Sequence, residues 1–161
     1  MWAAWVVPYD RPLLLAGDTE TDLEQARRSL VRVGFDHIEG FLKGGMPAWI
    51  EAGFDQAHIP QISVQELRSR LHSSDQVTVL DVRSPKEWRE GHIEGAFHIP
   101  GGELPKRVNE LSRDSELQVI CGSGYRSSVA TSVLLRAGHD RLVNVVGGMT
   151  AWKKQNLPAV V

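Results

Sequence analysis

One short segment occurs twice in this chain, and it constrains the fold more than any other feature. Residues 44–49 read Gly-Gly-Met-Pro-Ala-Trp, and residues 147–152 read Gly-Gly-Met-Thr-Ala-Trp. The residues upstream of the two segments also match, with one additional residue, Lys43, in the first copy. The copies are about a hundred residues apart, whereas solenoid repeats are only roughly 20–50 residues long. We therefore expect one domain-sized unit to occur twice, at least in its second half.

The hydrophobic pattern of this unit alternates strands with helices. In the second copy, residues 117–120 predict a buried strand that ends in a glycine-rich loop, 121–126. Apolar residues in 127–137 are spaced as one helix face, residues 142–146 predict a second strand, and residues 149–155 a second helix. The first copy repeats this order with strands at 13–15 and 38–42 and helices near 20–33 and 46–52. Short links between such elements indicate an α/β fold with parallel strands.

Only the second copy is preceded by further elements of a domain. These are a strand at 77–80, a short helix that starts at Ser84-Pro85, an edge-like strand at 97–100 and an amphipathic helix over 103–111. Pro60 and the polar residues around it suit a linker at the join. We therefore expect a partial unit over residues 1–56 and a complete domain over residues 57–161.

Composition excludes several functional classes. The formal net charge is −2, from 18 basic and 20 acidic residues, which argues against a nucleic-acid binder. No apolar run reaches the roughly 20 residues of a membrane span, and the opening apolar stretch ends at Pro8, before the first basic residue, Arg11, so we expect no secretory signal. A single cysteine excludes an internal disulfide and a cysteine-rich zinc site, and the 6 histidines are scattered. The expected compartment is the reducing cytoplasm.

That one cysteine, Cys121, is the candidate nucleophile. It follows a predicted parallel strand, at the sheet edge where α/β folds bind their ligands. It also precedes a helix, whose first backbone N–H groups and dipole stabilise a thiolate. Gly122 and Gly124 allow the loop to turn successive N–H groups towards one anion. A buried structural cysteine is the alternative, and the sequence favours the reactive thiol.

Other loop residues support an anion site to different degrees. A cation in the first helical turn, such as Arg126, opposes the helix dipole at a cost of about 0.3–1 kcal/mol. That position is explained if Arg126 partners an anion held over the loop or a carboxylate nearby. The alternative is a solvent-exposed arginine without a role. Ser123 and Tyr125 either line the pocket or lie on the surface, and the sequence does not choose between these two positions.

The combination of motifs resembles a rhodanese domain over residues 60–158. The matching pieces, in order, are Asp81-Val82-Arg83, Glu87, residues 91–96, Ile99-Pro100, the 121–126 loop and residues 147–152. The resemblance implies a three-layer α/β fold with a parallel central sheet, here preceded by a partial copy of the same unit. It also implies a sulfurtransferase in which Cys121 carries a sulfane sulfur as a persulfide. The loop from Gly122 through Ser123, Gly124 and Tyr125 to Arg126 would cradle that sulfur, Arg126 would bind anionic donors such as thiosulfate, and no cofactor or metal is required.

Two details refine this interpretation. Asp81 and Arg83 match the Asp-x-Arg of the family, and we favour a structural ion pair over a substrate contact; Glu87 is also interpreted first as scaffold. Phosphatases that resemble this fold group have a Cys-x5-Arg loop, which has five residues between the cysteine and the arginine. Here Cys121 and Arg126 are separated by four residues. The shorter loop resembles the sulfur-transferring branch, so a phosphatase is the weaker alternative among enzymes. An alternative outside enzymes is a module that carries or binds persulfide without turnover of its own.

The first copy departs from the family pattern at the reactive positions. Alignment of the helices puts Gly17 opposite Cys121 and Asp22 opposite Arg126, so we expect residues 1–56 to be catalytically inactive. This copy resembles the second half of a degenerate rhodanese domain. Such tandems resemble the tail of fusion proteins in which a metallo-β-lactamase-fold domain, similar to persulfide dioxygenases, precedes the rhodanese domains. The expected partners are sulfur donors, thiol or cyanide acceptors and such a dioxygenase domain, and the apolar surface of residues 1–56 could also be covered in a homo-oligomer.

Overall fold

The computed structural model describes residues 6–73 and 77–161. It consists of two compact units, one that ends at His58 and one that runs from Ile59 to Val161. None of the helices in the described ranges combines the length and the hydropathy that a bilayer-spanning segment needs.

Over its described residues, the first unit contains two parallel strands and two helices. Its elements are β1 (Leu13–Leu15), α1 (Glu20–Val31), β2 (Ile38–Phe41) and α2 (Gly45–Glu51). Helix α1 begins after Thr19, whose hydroxyl oxygen accepts a hydrogen bond from the backbone N–H of Asp22, as expected for an N-cap residue. The strand–helix–strand–helix order is the one that the sequence predicts.

The second unit contains a five-stranded parallel sheet in the order β3-β7-β6-β4-β5. Its elements are β3 (Gln61–Ile62), α3 (Val64–Ser73), β4 (Val77–Asp81), α4 (Pro85–Arg89), β5 (Phe97–His98), α5 (Leu104–Arg107), β6 (Glu116–Ile120), α6 (Tyr125–Arg136), β7 (Leu142–Val145) and α7 (Gly148–Lys154). The central strands β6 and β4 are largely buried, which is why they are mostly apolar in the sequence.

Helices cover both faces of this sheet. Side chains alternate along a strand, so Leu117 and Val119 pack with α5 and α6 on one face, while Ile120 packs with α3 and α7 on the other. The unit is therefore a three-layer α/β structure with a parallel central sheet, and the predicted fold class is confirmed.

Two local predictions differ from the structure. The segment 103–111 is not one helix, because α5 ends at Arg107 and a 3-10 turn follows over Val108–Glu110. The backbone N–H of Leu111 bonds to the carbonyl of Val108, and this tighter winding ends the helix as the chain turns towards β6. Pro60 does not lie in a free linker, since its carbonyl accepts a hydrogen bond from the N–H of Asn144 at 2.9 Å. A proline lacks only the donor, so it is compatible with the start of an edge strand.

The repeated segment adopts the same local geometry in both units. Gly44 and Gly45 have φ of 78° and 60°, and Gly147 and Gly148 have φ of 78° and 54°. In both units the tryptophan of the segment donates from its indole Nε1 to the carbonyl of the sixth residue after it, at 2.9 Å from Trp49 and 2.8 Å from Trp152. The repeat in the sequence is therefore also a repeat in conformation.

Candidate active site

The 121–126 loop joins the end of β6 to the start of α6. Gly124 is the N-cap of α6 and has φ of 108°, a left-handed conformation that glycine adopts without strain. This conformation turns the backbone N–H of Gly124 towards the sulfur of Cys121, and the N-to-Sγ distance is 3.1 Å. A backbone donor is thus fixed on the atom that would carry negative charge in a thiolate.

Cys121 itself is buried, with none of its surface exposed. Its side chain lies in the apolar cluster between the sheet and α6. The predicted nucleophile is therefore a buried sulfur. Within these apolar surroundings the sulfur also receives the Gly124 N–H.

Ser127 is a neighbour of the sulfur that the sequence analysis missed. It is fully buried in the first turn of α6, and its Oγ lies 3.4 Å from Cys121 Sγ. The Ser127 hydroxyl also bonds to the carbonyl of Gly124 at 3.0 Å, which holds the loop in its turn. A polar residue on the inner face of an amphipathic helix is the signal that could have found it.

The Gly-Gly-Met segment holds the loop from behind. The N–H groups of Met149 and Thr150 donate to the carbonyls of Cys121 and Gly122 at 2.8 and 2.9 Å. A Cβ atom on Gly148 would collide with the Cys121 carbonyl oxygen and would lie 2.7 Å from the Gly122 carbonyl. Glycine is therefore required at position 148 for the start of α7 to approach the loop this closely.

Arg126 forms an ion pair with Glu87 of α4, which is the carboxylate neighbour that the sequence analysis left open. Its two terminal nitrogens donate to the two carboxylate oxygens of Glu87 at 2.7 and 2.6 Å. The guanidinium lies beside Gly122, where an added Cβ would be 2.8 Å from Nη2. Because Arg126 donates to the carboxylate, it lowers the pKa of Glu87 to about 2, and the same bond raises the pKa of Arg126.

Glu87 also has a structural role at the start of α4. It belongs to a capping box at the start of α4, in which Ser84 Oγ accepts from the Glu87 N–H and the Ser84 N–H donates to Glu87 Oε2. The sequence signal for it is Ser84-Pro85-x-Glu87, a capping box with proline at the first helical position.

Asp81 and Arg83 form a buried ion pair behind α4. Their side chains are 1% and 3% exposed, and Arg83 Nη2 lies 2.6 Å from Asp81 Oδ2. Arg83 also donates to the backbone carbonyls of Glu87 and Gly91, at 3.1 and 2.9 Å. The pair thus ties the end of β4 to the helix that carries Glu87, and it fits the structural role that we favoured.

The remaining predicted loop residues lie outwards. Tyr125 is 78% exposed and Ser123 is also exposed, whereas Gly122 and Gly124 are half-buried. The loop thus has a buried sulfur, a paired cation and an exposed aromatic at its outer edge. In the described ranges no group of three His, Cys, Asp or Glu side chains is arranged to hold a metal ion.

A family model, the rhodanese-like domain, matches residues 63–155. The chain belongs to the rhodanese-like family. The matched range contains the Cys121 loop, the Asp81–Arg83 pair and the Gly-Gly-Met segment that holds the loop.

Similar sequences and solved structures agree with this membership. The Bacillus subtilis protein YrkF, provisionally named a sulfur carrier protein, is 40% identical over 94 residues, which are 58% of this chain and 51% of YrkF. The chain thus spans about half the length of that relative. A sulfurtransferase of Allochromatium vinosum is 33% identical over 102 residues, covering 63% of this chain and 95% of that protein. A rhodanese-related protein of Thermoplasma volcanium has a TM-score of 0.58 and 35% identity, covering 63% of this chain and 97% of that structure. These similarities support a rhodanese-type role in sulfur transfer.

Proposed function

We propose that this protein is a sulfurtransferase that moves a sulfane sulfur from thiosulfate or a persulfide donor to a thiol or cyanide acceptor through a persulfide on Cys121. The observation that carries the proposal is the hydrogen bond from the Gly124 N–H to Cys121 Sγ, 3.1 Å long, inside the Cys-x4-Arg loop. Sulfurtransferase-named relatives that match the whole domain add support. The chemistry is nucleophilic catalysis by an activated thiol.

The reaction has two displacement steps. The Cys121 thiolate attacks the outer sulfur of thiosulfate, a new S–S bond forms, and the old S–S bond breaks with its electron pair leaving on sulfite. An acceptor thiolate or cyanide then attacks the outer sulfur of the persulfide, and the electron pair of that S–S bond returns to Cys121. The fixed N–H of Gly124 stabilises sulfur charge in both steps. An anionic donor engages Arg126 in competition with the Glu87 carboxylate. Neither step calls for a cofactor.

Intact-mass measurement after incubation with thiosulfate tests the proposal. We expect one added sulfur on the wild-type protein and none on Cys121→Ser, because a hydroxyl at this position is a poor nucleophile at neutral pH. Since Cys121 is the single cysteine, the site of the adduct is unambiguous. A correctly folded wild-type protein that gains no sulfur from thiosulfate or from a persulfide donor would contradict the mechanism.

A persulfide carrier without turnover is the second candidate function. Two observations favour it: the complete burial of Cys121, which would shield a bound sulfur, and the similarity to a relative that carries a sulfur carrier name. Steady-state formation of thiocyanate from thiosulfate and cyanide distinguishes the two functions. An enzyme turns over many times for each Cys121, whereas a carrier accepts one sulfur and stops.

The first unit is proposed to be a degenerate half of a rhodanese domain. Its β1, α1, β2 and α2 follow the order of β6, α6, β7 and α7, and its glycines at 44 and 45 share the conformation of those at 147 and 148. In the second unit, β6 pairs with β4 on the edge away from β7. We propose that the corresponding edge of β1 is covered in the working protein by an upstream domain, such as a metallo-β-lactamase-fold persulfide dioxygenase, or by a second chain. With one cysteine and a thiol chemistry to protect, the proposed compartment is the cytoplasm.

A further inference from the structure

The cation of the candidate active site is already engaged by a carboxylate. Both terminal nitrogens of Arg126 donate to Glu87, at 2.6 and 2.7 Å, and the side chains are 17% and 33% exposed. The pair carries no net charge. An anionic donor that approaches the loop therefore meets a neutral ion pair whose outer member, the more exposed one, is negative.

The Glu87 carboxylate is fixed in this position. Ser84 donates to Glu87 Oε2 from its hydroxyl at 2.7 Å and from its backbone N–H at 3.1 Å. The helix that carries Glu87 is held by Arg83, which donates to the Glu87 carbonyl. Its Trp88 ring is stacked against His92 and His98, with centroid distances of 3.6 and 4.5 Å. Glu87 can release Arg126 only at the cost of strong charge-assisted hydrogen bonds.

We propose that Glu87 is a specificity-determining residue that selects against doubly charged sulfur donors, so that the preferred substrates are sulfane donors with at most one charge beside the transferred sulfur. This inference rests on the proposed sulfurtransferase function. A dianion such as thiosulfate is repelled by the carboxylate and must compete with it for Arg126. A singly charged donor meets about half of that repulsion, because Coulomb energy scales with the product of the charges.

Two matched donors isolate the charge effect. Thiosulfate is a dianion and methanethiosulfonate is a monoanion with a methyl group in place of one oxygen. Attack by Cys121 on the outer sulfur releases sulfite from the first and methanesulfinate from the second. The measured quantity is the ratio of kcat/KM for thiosulfate to kcat/KM for methanethiosulfonate, with cyanide as acceptor.

Substitution Glu87→Gln removes the charge but keeps an oxygen that can accept from Ser84 and Arg126. We expect this variant to raise the donor ratio about tenfold, mainly through a lower KM for thiosulfate. Glu87→Asp, which keeps the charge, should retain the wild-type ratio to a large extent. Glu90→Gln, an equal charge change at the end of the same helix, should leave the ratio unchanged because the Glu90 side chain is exposed, whereas the Glu87 carboxylate binds both terminal nitrogens of Arg126.

The outcomes separate this inference from the proposed function. If Glu87→Gln lowers kcat/KM for both donors equally, Glu87 only positions Arg126 and the selectivity proposal is wrong. If the wild-type protein uses neither donor, the proposed function fails first. A second measurement needs no variant: in wild type, added salt should raise the donor ratio, because it screens repulsion of the dianion. A ratio that falls with salt would mean that the site attracts dianions and would overturn the proposal.

Discussion

Substitution Gly148→Ala tests whether the start of α7 holds the active-site loop in place. Gly148 has φ of 54°, and an added Cβ would collide with the Cys121 carbonyl oxygen and lie 2.7 Å from the carbon and oxygen of the Gly122 carbonyl. Both obstacles are backbone atoms, which cannot swing away as the end of a side chain can. The loop and α7 must therefore separate.

The expected cost has two parts. A left-handed conformation costs an alanine about 1–2 kcal/mol, and forcing a methyl group into closely packed structure costs about 1–3 kcal/mol more. We expect Gly148→Ala to lower the free energy of unfolding by about 2–5 kcal/mol. Because Cys121 and Gly122 lose the hydrogen bonds from Met149 and Thr150 as the backbones separate, sulfur transfer should fall by about 100-fold, the loss typical of an ångström-scale misplacement.

Two control variants divide this effect into its causes. Gly95→Ala introduces the same methyl group at a φ of 74° with nothing within 4 Å, so it should show the backbone strain alone and keep its activity. Gly45→Ala is the equivalent change in the first unit, where the new Cβ would lie 2.6 Å from the Gly17 carbonyl oxygen. It should destabilise that unit and leave thiosulfate turnover nearly unchanged. Urea unfolding and thiocyanate formation are measured for all three. A Gly148→Ala protein that is as stable and as active as Gly95→Ala would refute the argument.

Two further predictions concern the scaffold of the site. Asp81→Asn should destabilise the second unit by about 3–5 kcal/mol, because it leaves the guanidinium of Arg83 buried without its charged partner. Urea unfolding measures this loss of stability. The control is Glu66→Gln in an exposed ion pair, and a loss for Asp81→Asn no larger than that of the control would contradict the prediction. A shortened chain of residues 57–161 should remain soluble and retain sulfur transfer, whereas residues 1–56 alone should aggregate or remain unfolded, since Leu14, Phe41 and other apolar side chains are exposed there. A shortened chain that folds but is inactive would mean that the first unit shapes the active site.

The sequence predicts those parts of the fold that depend on local pattern. β6, α6, β7 and α7 are found within a few residues of their predicted bounds, because buried strands and amphipathic helices have periods that can be read directly. The 3-10 turn after Arg107 was not foreseen, since apolar spacing of three to four residues fits either kind of helix. Helix ends in general depend on capping contacts rather than on periodicity.

The candidate site is less predictable because its contacts are distant in sequence. The loop glycines and the position of Cys121 follow from local rules, but Glu87 and Arg126 are 39 residues apart and meet only when β4 and β6 lie side by side. The burial of Cys121 also depends on how α6 covers the sheet, which the loop sequence does not contain. The capping box of Ser84 and Glu87 indicates a helix that starts at Pro85, but it does not predict which cation the carboxylate faces.

The comparison of the two units separates the residues that shape the loop from those that would do its chemistry. Both units place a glycine with positive φ directly against a carbonyl of the loop that joins the first strand to the first helix of the repeat. These contacts are Gly45 on the carbonyl of Gly17 and Gly148 on the carbonyl of Cys121. The close approach is thus kept where no thiol exists, so the Gly-Gly-Met segment serves the fold and does not by itself indicate activity. The two units differ at the sulfur position, glycine against Cys121, and at the cation position, Asp22 against Arg126. Since the backbone support is common to both units, the sulfur chemistry that we propose depends on those two replacements and on Glu87. Glu87 lies in the part of the domain that precedes β6, and the described residues before β1 contain no counterpart of it.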